Sequence, residues 1–190
     1  MKSLLLLGSL AMAGVAPATD FRNVQWGSPI AAVRSAETAF PVFATDSLLE
    51  YDTEYAGRQM GLLYRFSAGR LRGGSYHYEA FHHCGGTFVA AARRHLCERQ
   101  EVSAAFLDIV QLLSREYGAP LNDALNTLCF RDATRIERYV ARKADFDRSA
   151  MCVWQRPGLT VTLNASHALD DRDDRQHPYA TLQLIFNAAG

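Results

Sequence analysis

Three consecutive stretches between residues 49 and 81 alternate apolar and polar side chains with a period of two. Leu49, Tyr51, Thr53 and Tyr55 alternate with Glu50, Asp52 and Glu54. After Gly57-Arg58 come Met60, Leu62, Tyr64 and Phe66, and after Ala68-Gly69-Arg70 comes an aromatic-rich stretch from Leu71 to Phe81. Period two is the repeat of a strand buried on one face. Turns this short join antiparallel neighbours. The chain is therefore committed to an antiparallel meander here, and something must cover its apolar face.

The flanking segments supply candidates for that cover. Phe21 to Gly27 is a short extended lead-in. Ser28-Pro29 reads as a helix start, with Ser as N-cap and Pro at the first helical position. Ile30, Val33 and Glu37 follow at helical spacing, and the helix should end before Pro41. A longer helix is predicted from about Val102 to Tyr117. Val102, Phe106, Ile109, Leu113 and Tyr117 share one face, and Gly118 and Pro120 mark the stop. Residues 121–148 fit either helix or strand. Strands return at Met151–Gln155, Leu159–Ser166 and Tyr179–Asn187, the first two joined by a Pro157-Gly158 turn.

The order helix, then about three antiparallel strands, occurs over residues 21–81 and again over 101–187, without letter identity. One such unit buries little alone. Two side by side can form one sheet with both helices packed on the same face, so the expected fold class is α+β. The expected division is 19–100 for the first unit, including a cysteine-flanked insert at 82–100, and 101–190 for the second.

The first eighteen residues have the layout of a secretory signal peptide. Lys2 is followed by an apolar run from Leu4 to Val15, and Ala16-Pro17-Ala18 predicts cleavage between Ala18 and Thr19. The run falls short of the roughly 20 residues that span a bilayer. Thr19 stands where a lipoprotein would need cysteine. The expected product is periplasmic or secreted, without a stable membrane anchor. The chain has 20 basic and 20 acidic side chains. Such a balance provides neither the basic footprint of a nucleic-acid binder nor a polybasic lipid anchor. The run Asp170-Asp171-Arg172-Asp173-Asp174 reads as a solvated loop and lacks the glycine turn and distant Glu of a calcium loop.

Export changes how the four cysteines are read. An even count in an oxidising compartment points to disulfides. Of three possible pairings, Cys84–Cys97 and Cys129–Cys152 are favoured because each pair flanks a locally continuous segment.

FRNVQWGSP at residues 21–29, Leu62-Leu63-Tyr64-Arg65-Phe66 before Gly69-Arg70-Leu71, Tyr117-Gly118-Ala119-Pro120, and Trp154 before Leu159-Thr160-Val161 resemble short motifs of a loose group of small exported bacterial proteins of unknown function. Their layout is similar to the helix-plus-meander modules of beta-lactamase-inhibitor-like proteins and of the outer-membrane assembly lipoprotein BamE. The resemblance implies binding to an envelope or extracellular protein, with no cofactor and no catalysis. It supplies no catalytic residues.

Two local signals compete with that expectation. His82, His83, Cys84, His95 and Cys97, with His77 nearby, are of the types that ligate zinc or copper. Their spacing matches no established site, and disulfide formation would remove the thiolates. Cys84 beside His83 would suggest a nucleophile only if its thiol were free. No G-x-S-x-G, H-E-x-x-H, P-loop or dinucleotide-binding pattern occurs. The aromatics Tyr51, Tyr55, Tyr64, Phe66, Tyr76, Tyr78 and Phe81 either fill the sheet core or line a groove. If one face of the sheet is open, an aromatic row carrying Tyr76 and Tyr78 is the candidate binding face.

Overall fold

The computed structural model describes residues 20–80, 83–85, 91–121, 129, 150–169 and 178–188. Its elements are α1 (Ile30–Ala36), β1 (Phe40–Ala44), β2 (Leu48–Tyr55), β3 (Arg58–Ser67), β4 (Arg70–Glu79), α2 (Ala91–Tyr117), β5 (Ala150–Arg156), β6 (Leu159–Leu169) and β7 (Pro178–Ala188). The seven strands form one antiparallel sheet in the order β1-β2-β3-β4-β7-β6-β5. Two meanders thus meet where β4 pairs with β7 (Tyr76 opposite Leu184). The leader, residues 130–148 and the acidic run at 170–174 lie outside the described residues.

The α+β class is observed, but the first half is a helix plus four strands. The additional strand, β1, lies in the sequence FPVFA, where Pro41 argues against a central strand. An edge position accommodates proline, because one side of an edge strand has no ladder partner to satisfy. β1 is such an edge, and its register with β2 shifts between Pro41 and Phe43. Two further boundaries differ from expectation. Pro29 itself is the N-cap of α1, without a side-chain cap, so Ser28 does not serve there. The second helix begins at Ala91, well before Val102, and carries Cys97 within it.

The turns follow from local chemistry. Ala56-Gly57 and Ala68-Gly69 both take positive φ (52° and 74°, then 49° and 69°). Positive φ at both central residues is the hairpin turn whose twist matches that of the flanking strands. Each turn therefore holds an alanine in the left-handed region, where a Cβ is unfavourable.

Both helices pack on the same face. Arg22 Nη1 donates to the Tyr76 hydroxyl at 3.2 Å and Nη2 to Glu37, the C-cap of α1. Tyr78, two residues along the same strand, donates to Glu101 of α2 at 3.5 Å. Residues two apart in a strand share a face. Val33 of α1 and Val102, Ala105, Phe106, Ile109 and Leu113 of α2 are buried there with Leu49, Leu62, Tyr64, Leu163, Leu184 and Trp154. The Trp154 indole donates to the Gly118 carbonyl at 3.0 Å, tying the end of α2 to β5. Phe21 seats the N-terminal segment in the same core, its ring centroid 4.9 Å from Phe186 and 5.4 Å from Tyr64. The FRNVQWG phrase thus works as a plug.

Candidate functional site

The helix-covered face takes every second residue of each strand, and the residues between them form the other face, on which neither helix lies. Register places these residues in rows. One row runs Phe43, Glu50, Leu63, Ser75, Ile185, Thr162, Val153. The next runs Phe40, Asp52, Gly61, His77, Gln183, Asn164, Met151. The surface is mixed: Leu63, Ile185, Val153 and Met151 are half-buried, while Asp52, Glu54, Arg65 and Glu79 are exposed.

Its β1 side is the most apolar part. Phe40 is 73% exposed, and Val42 and Phe43 are each 52% exposed. Beside them β2 presents Glu50, Asp52 and Glu54, spaced about 7 Å apart along the strand. His77 lies over Gly61, where the absence of a Cβ leaves room for the ring. Its Nε2 is 3.9 Å from Glu50 Oε1, and its Nδ1 is buried without a hydrogen-bond partner.

Tyr76 and Tyr78 are not on this surface. They are 3% and 1% exposed, beneath the helices. The physical reason is the alternation itself: the aromatic row has by far the larger apolar area, so it takes the covered face. Burial pushes the hydroxyls of both above the ordinary tyrosine range. The Glu101 charge adds to the effect at Tyr78, and Arg22 opposes it at Tyr76.

Tyr78 also forms part of the wall of a cleft of about 420 Å³ at the β2–β3 turn, with Glu54, Gly57, Arg58, Gln59, His83 and Glu101. Arg58 leans on α2 through an ion pair to Asp108 at 2.8 Å. His83, itself exposed beside Cys84, lies with its ring 6.1 Å from that of Tyr78.

Cys84 is bonded to Cys97 and Cys129 to Cys152, and no cysteine is free. Sulfurs in this state are neither thiolate ligands nor nucleophiles. His82 and the His95 side chain lie outside what the structure describes. Among the described residues no group of three or more His, Cys, Asp or Glu side chains converges as a metal site, and no helix is long and apolar enough to cross a membrane.

Sequence reasoning missed Phe40 and Phe43. Their signal was present: an apolar FPVF run interrupted by proline is what an exposed edge strand looks like. The Arg22–Glu37 pairing had no comparable signal.

No family model matches the sequence, and no curated protein or solved structure is significantly similar to it.

Proposed function

We propose that this chain is an exported, disulfide-stabilised binding protein of the cell envelope or exterior, catalysing no reaction, with the open sheet face and its β1 edge as the working surface. The exposure of Phe40, Val42 and Phe43 carries the proposal. Large apolar side chains grouped on an exposed edge lose favourable burial unless a partner covers them. Two disulfides suit an oxidising compartment, and the leader pattern supplies the route. The resemblance to helix-plus-meander modules points to the same class of role. The two halves, each a helix followed by a meander, act in this proposal as one platform.

Site-specific photocrosslinking in the native host tests it. A photoreactive residue at Phe43 is expected to trap a partner protein that the same residue at Gln111, exposed on the outer side of α2, does not. Equal or absent crosslinking at the two positions refutes the proposal.

The cleft beside Tyr78 and His83 favours a second reading, a small polar ligand bound between the β2–β3 turn and α2. Its volume is in the range of small-molecule sites. Its test is a thermal-shift screen of small charged metabolites, in which hits must be abolished by Glu101→Gln.

A further inference from the structure

We infer that the β1–β2 strip of the open face docks an extended segment of a partner protein in which basic and apolar residues alternate. This rests on the binding-protein proposal and specifies the chemistry of its partner.

Four observations carry it. First, Glu50, Asp52 and Glu54 project from one strand to the same face, and Asp52 and Glu54 are exposed. Second, register sets Phe43 beside Glu50 and Phe40 beside Asp52, so an aromatic row lies parallel to the carboxylate row. The two rows are about 5 Å apart, one strand spacing. Third, the charges on this side of the sheet are unbalanced. Glu79 of β4 adds a fourth carboxylate to the face, while the exposed Arg65 and Arg72 sit together at the opposite end, across from Leu48 and at the β3–β4 register shift. His77 reaches toward Glu50 only. Fourth, Pro41 and the register shift beside it prevent β1 from accepting an eighth strand along its whole length. Recognition therefore falls to side chains.

A segment lying along the β1–β2 seam, with side chains alternating to either side, places basic groups over β2 and apolar groups over β1. An extended chain repeats every two residues over about 7 Å, which keeps step with carboxylates spaced the same way. A helix presents its face every three to four residues at about 5–6 Å and falls out of step by the third contact. A second copy applied through the same strip would set carboxylates against carboxylates, which is repulsive. Nucleic acid and anionic lipid are repelled for the same reason.

The test uses the full disulfide-bonded chain and short synthetic peptides, followed by calorimetric titration. A peptide alternating Lys and Val is the probe. Its isomers are a block peptide with all Lys before all Val, and a peptide with Lys at helical spacing. The expected result is saturable binding of the alternating peptide, weakening as salt rises. The combined change Glu50→Gln, Asp52→Asn, Glu54→Gln is expected to weaken it by about tenfold. Phe40→Ser with Phe43→Ser is expected to weaken it by a similar, roughly tenfold factor while leaving the salt dependence unchanged. Far-UV circular dichroism verifies that these surface variants stay folded.

Absence of saturable binding overturns the inference. So does equal binding of either isomer, or self-association through the strip that competes with the peptide. The broader proposal fails separately. If crosslinking at Phe43 traps a partner while the carboxylate variant leaves that capture intact, only the basic-segment inference falls. If Phe40→Ser with Val42→Ser also leaves capture from position 43 intact, the binding face itself is wrong.

Discussion

Glu37 holds Arg22 across the mouth of the core. Arg22 Nη2 donates to Oε1 at 3.1 Å, and Nε lies 3.0 Å from Oε2 as a charge contact without hydrogen-bond alignment. Glu37 is the C-cap of α1, and its carboxylate also accepts from the Tyr64 hydroxyl and from the backbone N–H of Thr38 and Ala39. One buried side chain thus joins the N-terminal segment, the end of α1 and strand β3. Arg22 reaches it from a positive φ of 52°, a conformation that needs compensating contacts.

Glu37→Ala leaves the Arg22 guanidinium and the Tyr64 hydroxyl without their acceptor. The expected loss is about 3–5 kcal/mol, the usual cost of breaking a buried pair from one side. Glu37→Gln, which keeps an acceptor oxygen, should lose less. Urea unfolding of the two variants checks the order; equal losses would mean that the retained acceptor oxygen contributes nothing once the charge is gone.

The two glycines facing aromatic rings should respond differently. A Cβ on Gly74 would collide with the Phe21 ring, which is confined in the core. Gly74→Ala is expected to cost about 1–3 kcal/mol by overpacking. A Cβ on Gly61 would collide with His77, but that ring sits on the open face and can swing outward. Gly61→Ala should therefore stay within roughly 1 kcal/mol of the parent, at the mild end of single substitutions. Melting temperatures of the two variants decide the matter.

Removing the Cys84–Cys97 bond by a double change to alanine opens a loop with a sequence separation of 13. Chain-entropy arithmetic gives a loss of about 3 kcal/mol. For a chain of this size that lowers the melting temperature by roughly 6–12 °C. An unchanged melting temperature would show that the rest of the fold already restrains this loop.

Ala56 and Ala68 each occupy the left-handed position before a turn glycine. Asparagine tolerates that conformation better and creates the Asn-Gly pair this turn type prefers. Ala56→Asn and Ala68→Asn are each expected to raise stability by about 0.5–1 kcal/mol, measured as a higher urea midpoint at unchanged slope.

Stability should fall steeply at alkaline pH. Burial, as the leading cause, raises the hydroxyls of Tyr64, Tyr76 and Tyr78 above the ordinary value of 10.0. Tyr117, which also bonds to Glu116, is pushed up to about 12. Below pH 10 the folded and unfolded chains both hold these protons, and stability is level. Above it the unfolded chain releases protons that the folded chain keeps, and each buried tyrosine removes about 1.4 kcal/mol per pH unit. The tyrosinate absorbance should therefore stay low past pH 10 and then rise together with loss of near-UV circular dichroism. Smooth titration near 10 with the fold intact would contradict this.

Much of the sheet was legible because alternation is a local property. Leu49 to Tyr55 and Met60 to Phe66 announce strands from their own letters, and the turn residues between them announce antiparallel pairing. The boundary of α2 was obscured because its first turns, RRHLCERQ, carry few apolar residues, so the helical stripe shows only from Val102 onward. β1 was obscured by its proline, whose effect depends on whether a second neighbour exists.

What the sequence determined by itself is the parity of each strand. It fixed that Leu49, Tyr51 and Leu62 share one side and Glu50, Asp52 and Leu63 the other, because a period of two admits nothing else. Which side would be covered was a tertiary decision. Tyr76 and Tyr78 look like an exposed aromatic row until Arg22 and Glu101 meet their hydroxyls under the helices. Phe40 and Phe43 look like core until β1 lies at the rim of the sheet, where none of the described residues covers them. Burial of apolar area does not register in any one segment. It depends on which surfaces the two helices reach, and that decided which face of the sheet they leave uncovered.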